Sequence, residues 1–124
     1  MPELPEVETT VRGLSRFLEG AKIARVELRR ADLRRPFPDS LVQSLTGAKV
    51  TGMGRRAKYG MIHTDRDQTM VFHLGMSGRW RIEPDEIGPH DHLLLETGAG
   101  HRLALCDPRR FGSVDLLDTS ALDL

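Results

Sequence analysis

Hydrophobic residues recur along the first part of this 124-residue chain with the period of a helix. Between residues 4 and 19 the apolar positions are three or four residues apart, as on one face of an α-helix. Pro5 suits the first turn of that helix, and Gly20 is a typical residue for its end. The pattern predicts a helix over residues 4–19. Its apolar stripe consists of Val7, Val11, Leu14 and Leu18.

Beyond the helix, apolar residues alternate with polar ones or form short runs, which is typical of β-strands. One short helix interrupts them, opening at residues 38–40 and ending at Gly47. Many short strands with regular turns predict a mainly β protein with α-helices. We expect a two-sheet β-sandwich flanked by the long N-terminal helix and the second short helix. The predicted strands are 22–30, 48–55, 59–64, 69–74, 78–83, 91–96, 101–106 and 112–117.

The length fits one domain with a real core. Cys106 is the only cysteine, so no internal disulfide forms and no cysteine-rich zinc site can be built; we expect it to be a small buried side chain. The sequence shows no signal-peptide pattern and no apolar run of membrane-spanning length. We therefore expect a cytoplasmic protein without a membrane partner.

The charged residues are balanced over the whole chain but unevenly distributed along it. The chain has 18 Lys and Arg residues against 18 Asp and Glu residues, so its net charge is zero. Residues 22–66, however, hold 11 basic and 4 acidic residues, a local excess of +7. This basic segment is compatible with an ordinary solvated face or with a nucleic-acid contact.

The N-terminus carries candidate chemistry. If Met1 is removed, Pro2 has a free secondary amine with the carboxylate of Glu3 beside it. Such an amine can attack an electrophilic sugar carbon and form an iminium, which is covalent catalysis without a side-chain nucleophile. While Met1 remains, the Pro2 nitrogen is an unreactive amide. A helix entry with Glu3 at the positive end of the dipole is the purely structural alternative.

Three further segments are distinctive: RRAKY at 55–59, HLGMSG at 73–78 and DPRRFG at 107–112. Each alone has an ordinary explanation as a turn or a surface segment. Together with the opening MPELPEVET, and in this order, they closely resemble the bacterial formamidopyrimidine-DNA glycosylase family. That family excises oxidised purines such as 8-oxoguanine in base excision repair.

The resemblance implies a bifunctional DNA glycosylase and AP lyase. Pro2 would attack the anomeric carbon of the sugar and form a Schiff base. Glu3 would protonate the sugar ring oxygen, and Lys58 would act in the β-elimination that follows. The positive end of the helix dipole and a nearby ammonium both lower the pKa of an amine, which favours a neutral, nucleophilic Pro2.

The implied partner is damaged double-stranded DNA. A base inside a duplex is out of reach, so the nucleotide has to be extruded and the vacated space held open. By the family pattern Met76, Arg109 and Phe111 would fill that space, since flexible, planar and flat side chains suit wedges. His90 would contact the DNA backbone, and His73 would add a phosphate contact.

Family members are about twice as long as this chain. Their second half carries a helix–two-turns–helix element and a four-cysteine zinc finger. Residues 1–124 are therefore expected to be the N-terminal catalytic domain, with the C-terminal domain as its missing partner and no metal or other cofactor of its own. We expect the full-length protein to be monomeric, and the isolated domain to excise damaged bases poorly.

Three other interpretations stay open. An endonuclease VIII-like relative with the same nucleophile would act on pyrimidines, although the Met76, Arg109 and Phe111 set argues against it. A non-catalytic DNA-binding fragment would keep Pro2 blocked and bind phosphates regardless of damage. An N-terminal-proline tautomerase would leave the arginines and the wedge segments unexplained.

Overall fold

The computed structural model describes residues 4–122. The helices of this part are α1 (Leu4–Leu18) and α2 (Leu41–Leu45), and a short 3-10 turn covers Thr119–Ala121. The strands are β1 (Ile23–Leu28), β2 (Val50–Arg56), β3 (Tyr59–Thr64), β4 (Gln68–His73), β5 (Arg79–Ile82), β6 (Asp91–Thr97), β7 (Arg102–Cys106) and β8 (Ser113–Asp118).

The strands form two antiparallel four-stranded sheets. Sheet I has the order β1-β6-β7-β5, and sheet II has the order β2-β3-β4-β8. This confirms the predicted sandwich with a long N-terminal helix and a second short one. Each predicted helix and strand is present, and the ends of the strands differ from the predicted ends by no more than two residues.

Helix α1 forms because its apolar stripe covers the sandwich. All four stripe residues are buried, and Leu14 and Leu18 are completely so. The helix ends at Leu18 and is followed by a turn at Gly20, whose φ of +80° is easily adopted only by glycine. Beyond the helix, Gly20 N donates to Val50 O at 2.9 Å and Val50 N donates to Ala21 O at 2.8 Å. These bonds attach the end of the helix to the start of β2.

The core lies between the sheets. Phe72 of sheet II meets Trp80 of sheet I edge to face, with ring centroids 5.5 Å apart. Phe72 is completely buried and lies across Gly60, where a Cβ atom would come within 2.2 Å of the ring. A residue without a side chain is therefore required at this point of β3, because a close-packed core leaves no free space. Cys106 is buried, as expected.

An ion pair ties the β2–β3 turn to helix α1. Arg55 Nε lies 3.1 Å from Glu8 Oε1, and Arg55 Nη1 donates to the carbonyl of Ala57 at 2.9 Å. The hydrogen bond from Arg55 lowers the pKa of the Glu8 carboxyl. Ala57 has a positive φ of +51°, as a tight turn requires. The turn that carries Lys58 is thus held beside the first half of α1.

Candidate functional site

Lys58 and His73 lie at the same end of sheet II. Lys58 occupies the β2–β3 turn immediately before Tyr59, and Tyr59 pairs with His73 across β3 and β4. The rings of Tyr59 and His73 are 4.9 Å apart. Antiparallel pairing of β3 and β4 therefore brings together two of the residues predicted to act on DNA, although 15 positions separate them in the sequence.

The surroundings of His73 favour its neutral form. Burial lowers the pKa of the imidazole, and the positive charges of Lys58 and Arg34 lower it further. Gly75 N donates a hydrogen bond to His73 Nδ1 at 3.1 Å. Since Nδ1 accepts, the proton of the neutral ring is on Nε2. His73 thus offers one N–H donor at neutral pH.

We expect the stability of the domain to decrease as the pH falls through the histidine range. Burial lowers the pKa of His63, as well as that of His73, below the ordinary value of 6.5. The unfolded chain then binds these protons before the folded chain does, so acidification favours unfolding below that value. Urea unfolding at about pH 7.5 and about pH 5.5 tests this. The decrease in the free energy of unfolding between these two pH values should be smaller in the double variant H63Q/H73Q. An equal decrease would show that His63 and His73 do not cause the pH dependence.

The three predicted wedge residues are exposed on two neighbouring turns. Met76 is 63% exposed on the turn after β4, and Phe111 is 43% exposed on the turn after β7. The guanidinium carbon of Arg109 lies 4.7 Å from the centre of the Phe111 ring, within the range of a cation–π contact. A large flexible thioether and a stacked cation–aromatic pair therefore project together into solvent.

Glycines allow these two turns to pack backbone against backbone. Gly75 has φ +63°, and a Cβ atom there would lie 2.6 Å from the carbonyl carbon of Phe111. A Cβ atom on Gly112 would lie 2.5 Å from the carbonyl oxygen of His73. Within the first turn, a Cβ atom on Gly78 would lie 2.3 Å from the carbonyl oxygen of Leu74. The wedge residues consequently stand on turns that are held tightly together.

Asp107 joins the two turns, and sequence reasoning missed this role. Its carboxylate is buried and accepts from Ser77 Oγ at 2.7 Å, Arg110 N at 3.0 Å and Gly112 N at 2.9 Å. Ser77 Oγ in turn accepts from Arg109 N at 3.2 Å. The available signal was an acidic residue directly after a buried strand, at the start of a turn rich in polar groups.

His90 lies next to the same junction. Asp107 N donates to the carbonyl of His90 at 3.0 Å, and the His90 ring is exposed. His92, two residues along, is buried and its Nε2 forms a 2.9 Å hydrogen bond with the carbonyl of Asp107. The backbone thus places exposed His90 beside the turn that carries Arg109.

A concave pocket of about 620 Å³ opens between these elements. The predicted residues His73, Met76 and Phe111 line it, together with Gly75 and Arg34. Arg34 was not singled out from the sequence, where it is one of several arginines in a basic segment. The pocket combines apolar walls with the positive charge of Arg34, which suits a ligand that has a flat apolar part and negative charge.

The predicted catalytic residues Pro2 and Glu3 lie outside the described residues. Within residues 4–122, no three His, Cys, Asp or Glu side chains come together in a way that could hold a metal ion. In the same part of the chain, no helix has the length and apolar character needed to cross a membrane.

Comparison with known proteins assigns the class of this domain. The family model for the formamidopyrimidine-DNA glycosylase N-terminal domain matches residues 1–114. The class is thus that of N-terminal domains of DNA glycosylases. Formamidopyrimidine-DNA glycosylases from Novosphingobium aromaticivorans and Erythrobacter litoralis are both 73% identical over 123 residues. Those matches cover 99% of this chain but 46% and 45% of the relatives, so the chain spans about half their length.

The fold comparison agrees. The Lactococcus lactis formamidopyrimidine-DNA glycosylase, solved in non-covalent complex with DNA containing an AP site, superposes with a TM-score of 0.87 at 31% identity. That match covers 98% of this chain and 47% of the other. The chain belongs to the formamidopyrimidine-DNA glycosylase family, whose members are DNA glycosylases of base excision repair.

Proposed function

We propose that this chain is the catalytic N-terminal half of a bifunctional DNA glycosylase and AP lyase. Its substrates are oxidised purines, 8-oxoguanine and formamidopyrimidines, in duplex DNA. The observation that carries the proposal is the pocket lined by His73 and the positively charged Arg34, with Met76 and Phe111 exposed at its wall. In this arrangement, the pocket that would receive an extruded nucleotide adjoins the side chains that would fill its vacated place in the duplex.

Extrusion requires side chains that replace the lost stacking. Inserting Met76 and Phe111 into the duplex compensates for part of the unstacking energy, and Arg109 adds a cation next to the base left unpaired. Insertion into a duplex requires that the turns carrying these side chains keep their conformation. The hydrogen bonds of Asp107 and the glycine contacts supply that rigidity.

The nucleophile in this proposal is the Pro2 amine, which is free only after removal of Met1. Its lone pair attacks the anomeric carbon, and the damaged base leaves with the electrons of the glycosidic bond and takes up the proton that the amine loses. The bond between the anomeric carbon and the ring oxygen then breaks, and an iminium links Pro2 to the opened sugar. Glu3 protonates the ring oxygen. Helix α1 begins at Leu4, two residues after Pro2 in the sequence, and the positive end of a helix dipole disfavours the protonated form of a nearby amine.

Lys58 and His73 complete the site. Lys58 promotes the β-elimination that breaks the strand on the 3′ side of the sugar. His73 donates a hydrogen bond from Nε2–H to a phosphate oxygen, and His90 contacts the DNA backbone beside the turn that carries Arg109. Lys58 and His73 lie at the same end of sheet II, which supports a role for both at one sugar-phosphate unit of the DNA.

The relatives are about twice as long, and we propose that a C-terminal domain of the full-length, monomeric, cytoplasmic enzyme supplies the other wall of the DNA groove. The residues of this half need no metal for the proposed chemistry. With half of the groove, excision of a damaged base should be weak. Cleavage at an existing abasic site should persist better, because no base has to be recognised.

Borohydride trapping on a duplex with one abasic site tests the nucleophile. Protein whose N-terminus is verified as Pro2 by intact mass should give a covalent adduct that maps to Pro2. The adduct should be absent with P2G and with protein that retains Met1. The variant K58A should slow strand cleavage by about 10²-fold, since it removes an acid–base group.

Lys49 provides a matched control, because it is an exposed lysine at the opposite end of β2. K49A should cleave at the wild-type rate. No adduct from verified Pro2-terminated protein would contradict the proposal for this chain. Salt-sensitive binding without any adduct, equal for damaged and intact duplexes, would instead indicate a non-catalytic DNA-binding domain.

A further inference from the structure

We propose that Arg34 forms a binding site for a DNA phosphodiester at the rim of the pocket, beside the extruded nucleotide. The inference rests on the proposed function and extends it to a residue outside the predicted set. Arg34 lines the same pocket as His73, Met76 and Phe111. It comes from the segment between β1 and α2, which the sequence motifs do not include.

The backbone around Arg34 is fixed. Arg34 N donates to the carbonyl of Gly112 at 3.1 Å, which attaches it directly to the turn that carries Phe111. On either side, Leu33 and Phe37 are buried, each only 5% exposed. Phe37 N donates to the carbonyl of Ala31 at 3.1 Å and so closes the loop. A cation on such a loop is positioned before any ligand arrives, which lowers the entropic cost of binding.

The charge of Arg34 is available to a ligand, whereas those of its neighbours are engaged. Arg30 pairs with Asp32 at 3.1 Å, and Arg35 pairs with Asp115 at 2.5 Å. Arg34 itself is exposed and forms no ion pair with any residue in the range 4–122. Its positive charge acts on His73, because it contributes to the lowered pKa of that ring. The two side chains therefore face a common space.

The chemistry of this pair suits a phosphodiester. The guanidinium presents parallel N–H donors that match two phosphate oxygens, and it stays charged at all relevant pH values. His73 contributes a single neutral donor at Nε2, so Arg34 supplies the full charge that a phosphodiester carries. A lysine would keep the charge but lose the bidentate geometry.

The test is the salt dependence of binding to a duplex that contains one tetrahydrofuran site, a stable abasic analogue that cannot form a Schiff base. Loss of one phosphate contact reduces the slope of log K against log salt by about one unit. We expect that reduction in R34Q, a wild-type slope in R34K, and weaker binding of R34K at every salt concentration. R35Q is the matched control, because it removes the same charge one residue away.

The outcomes separate the two proposals. A slope reduced in R34Q and unchanged in R35Q supports the phosphate site. Equal slopes for wild type and R34Q, or equal reductions in R34Q and R35Q, overturn it and leave the proposed function intact. If the wild-type chain fails to bind the abasic duplex at all, the proposed function fails and the Arg34 site with it. Unfolding midpoints confirm that the variants are folded.

Discussion

Replacing Gly75 by alanine is expected to destabilise the domain by about 2–4 kcal/mol and to abolish the binding of abasic DNA that the proposed function requires. The residue has φ +63°, and a Cβ atom would lie 2.6 Å from Phe111 C and 2.8 Å from Gly112 N. Both atoms belong to the backbone, so no side chain can rotate away to make room. The turns that carry Met76 and Phe111 must separate, and the pocket between them is then lost.

Gly20 is the matched control for this experiment. It also has a positive φ, +80°, but a Cβ atom there would have no neighbour within 4 Å, so G20A isolates the conformational cost of about 1–2 kcal/mol. Urea unfolding and binding to an abasic duplex should be measured for both variants. Equal losses of stability, or wild-type binding by G75A, would show that contact between the two turns does not shape the site.

Replacing Asp107 by alanine is the second change with a large expected effect. The substitution leaves Ser77 Oγ and the buried Gly112 N without their acceptor, whereas Arg110 N keeps its 3.2 Å hydrogen bond to the carbonyl of Asp107. Buried donors without partners cost about 1–3 kcal/mol each, so we expect a total loss of about 3 kcal/mol after partial relaxation. The amide hydrogen of Gly112 should also exchange much faster, because its hydrogen bond to the Asp107 carboxylate holds the turn closed.

Asp115 allows a direct comparison. Its carboxylate is 40% exposed and pairs with Arg35, so D115A should cost at most about 1 kcal/mol. Urea unfolding of both variants, with hydrogen exchange measured by NMR, distinguishes the buried hydrogen-bond acceptor Asp107 from the exposed ion-pair partner Asp115. A loss of stability in D107A no larger than that in D115A would mean that the carboxylate of Asp107 is not the link between the turns.

Local patterns were sufficient to predict the secondary structure. The stripe of α1 and the alternation in the strands depend on near neighbours in the sequence, and both follow directly from which face is buried. Strand β3 was predicted at 59–64 and occupies those positions. The pairing of the strands was not predictable in the same way. The sequences of β2, β3, β4 and β8 are compatible with several strand orders and registers, and only the structure shows which one is formed.

The candidate site was predicted in part, through the resemblance of its motifs. Exposed positions for Met76, Arg109 and Phe111 agree with the roles assigned to them, and those roles stay predictions. Asp107 and Arg34 were missed for different reasons. In a sequence, Asp107 cannot be told from any other aspartate in a turn. Arg34, which forms no ion pair within residues 4–122, cannot be told there from neighbouring arginines that do form one.

The sequence by itself determined the elements of this protein, its family motifs and the residues that can do chemistry, because these depend on residue type and spacing along the chain. Only the tertiary structure decided which of those residues meet. Pairing of Tyr59 with His73 brings the turn of Lys58 to the same end of the sheet as His73, and Gly75 packs against the backbone of Phe111 because it has no Cβ atom. Such contacts join residues far apart in the chain, where packing and register decide the outcome and local preference does not.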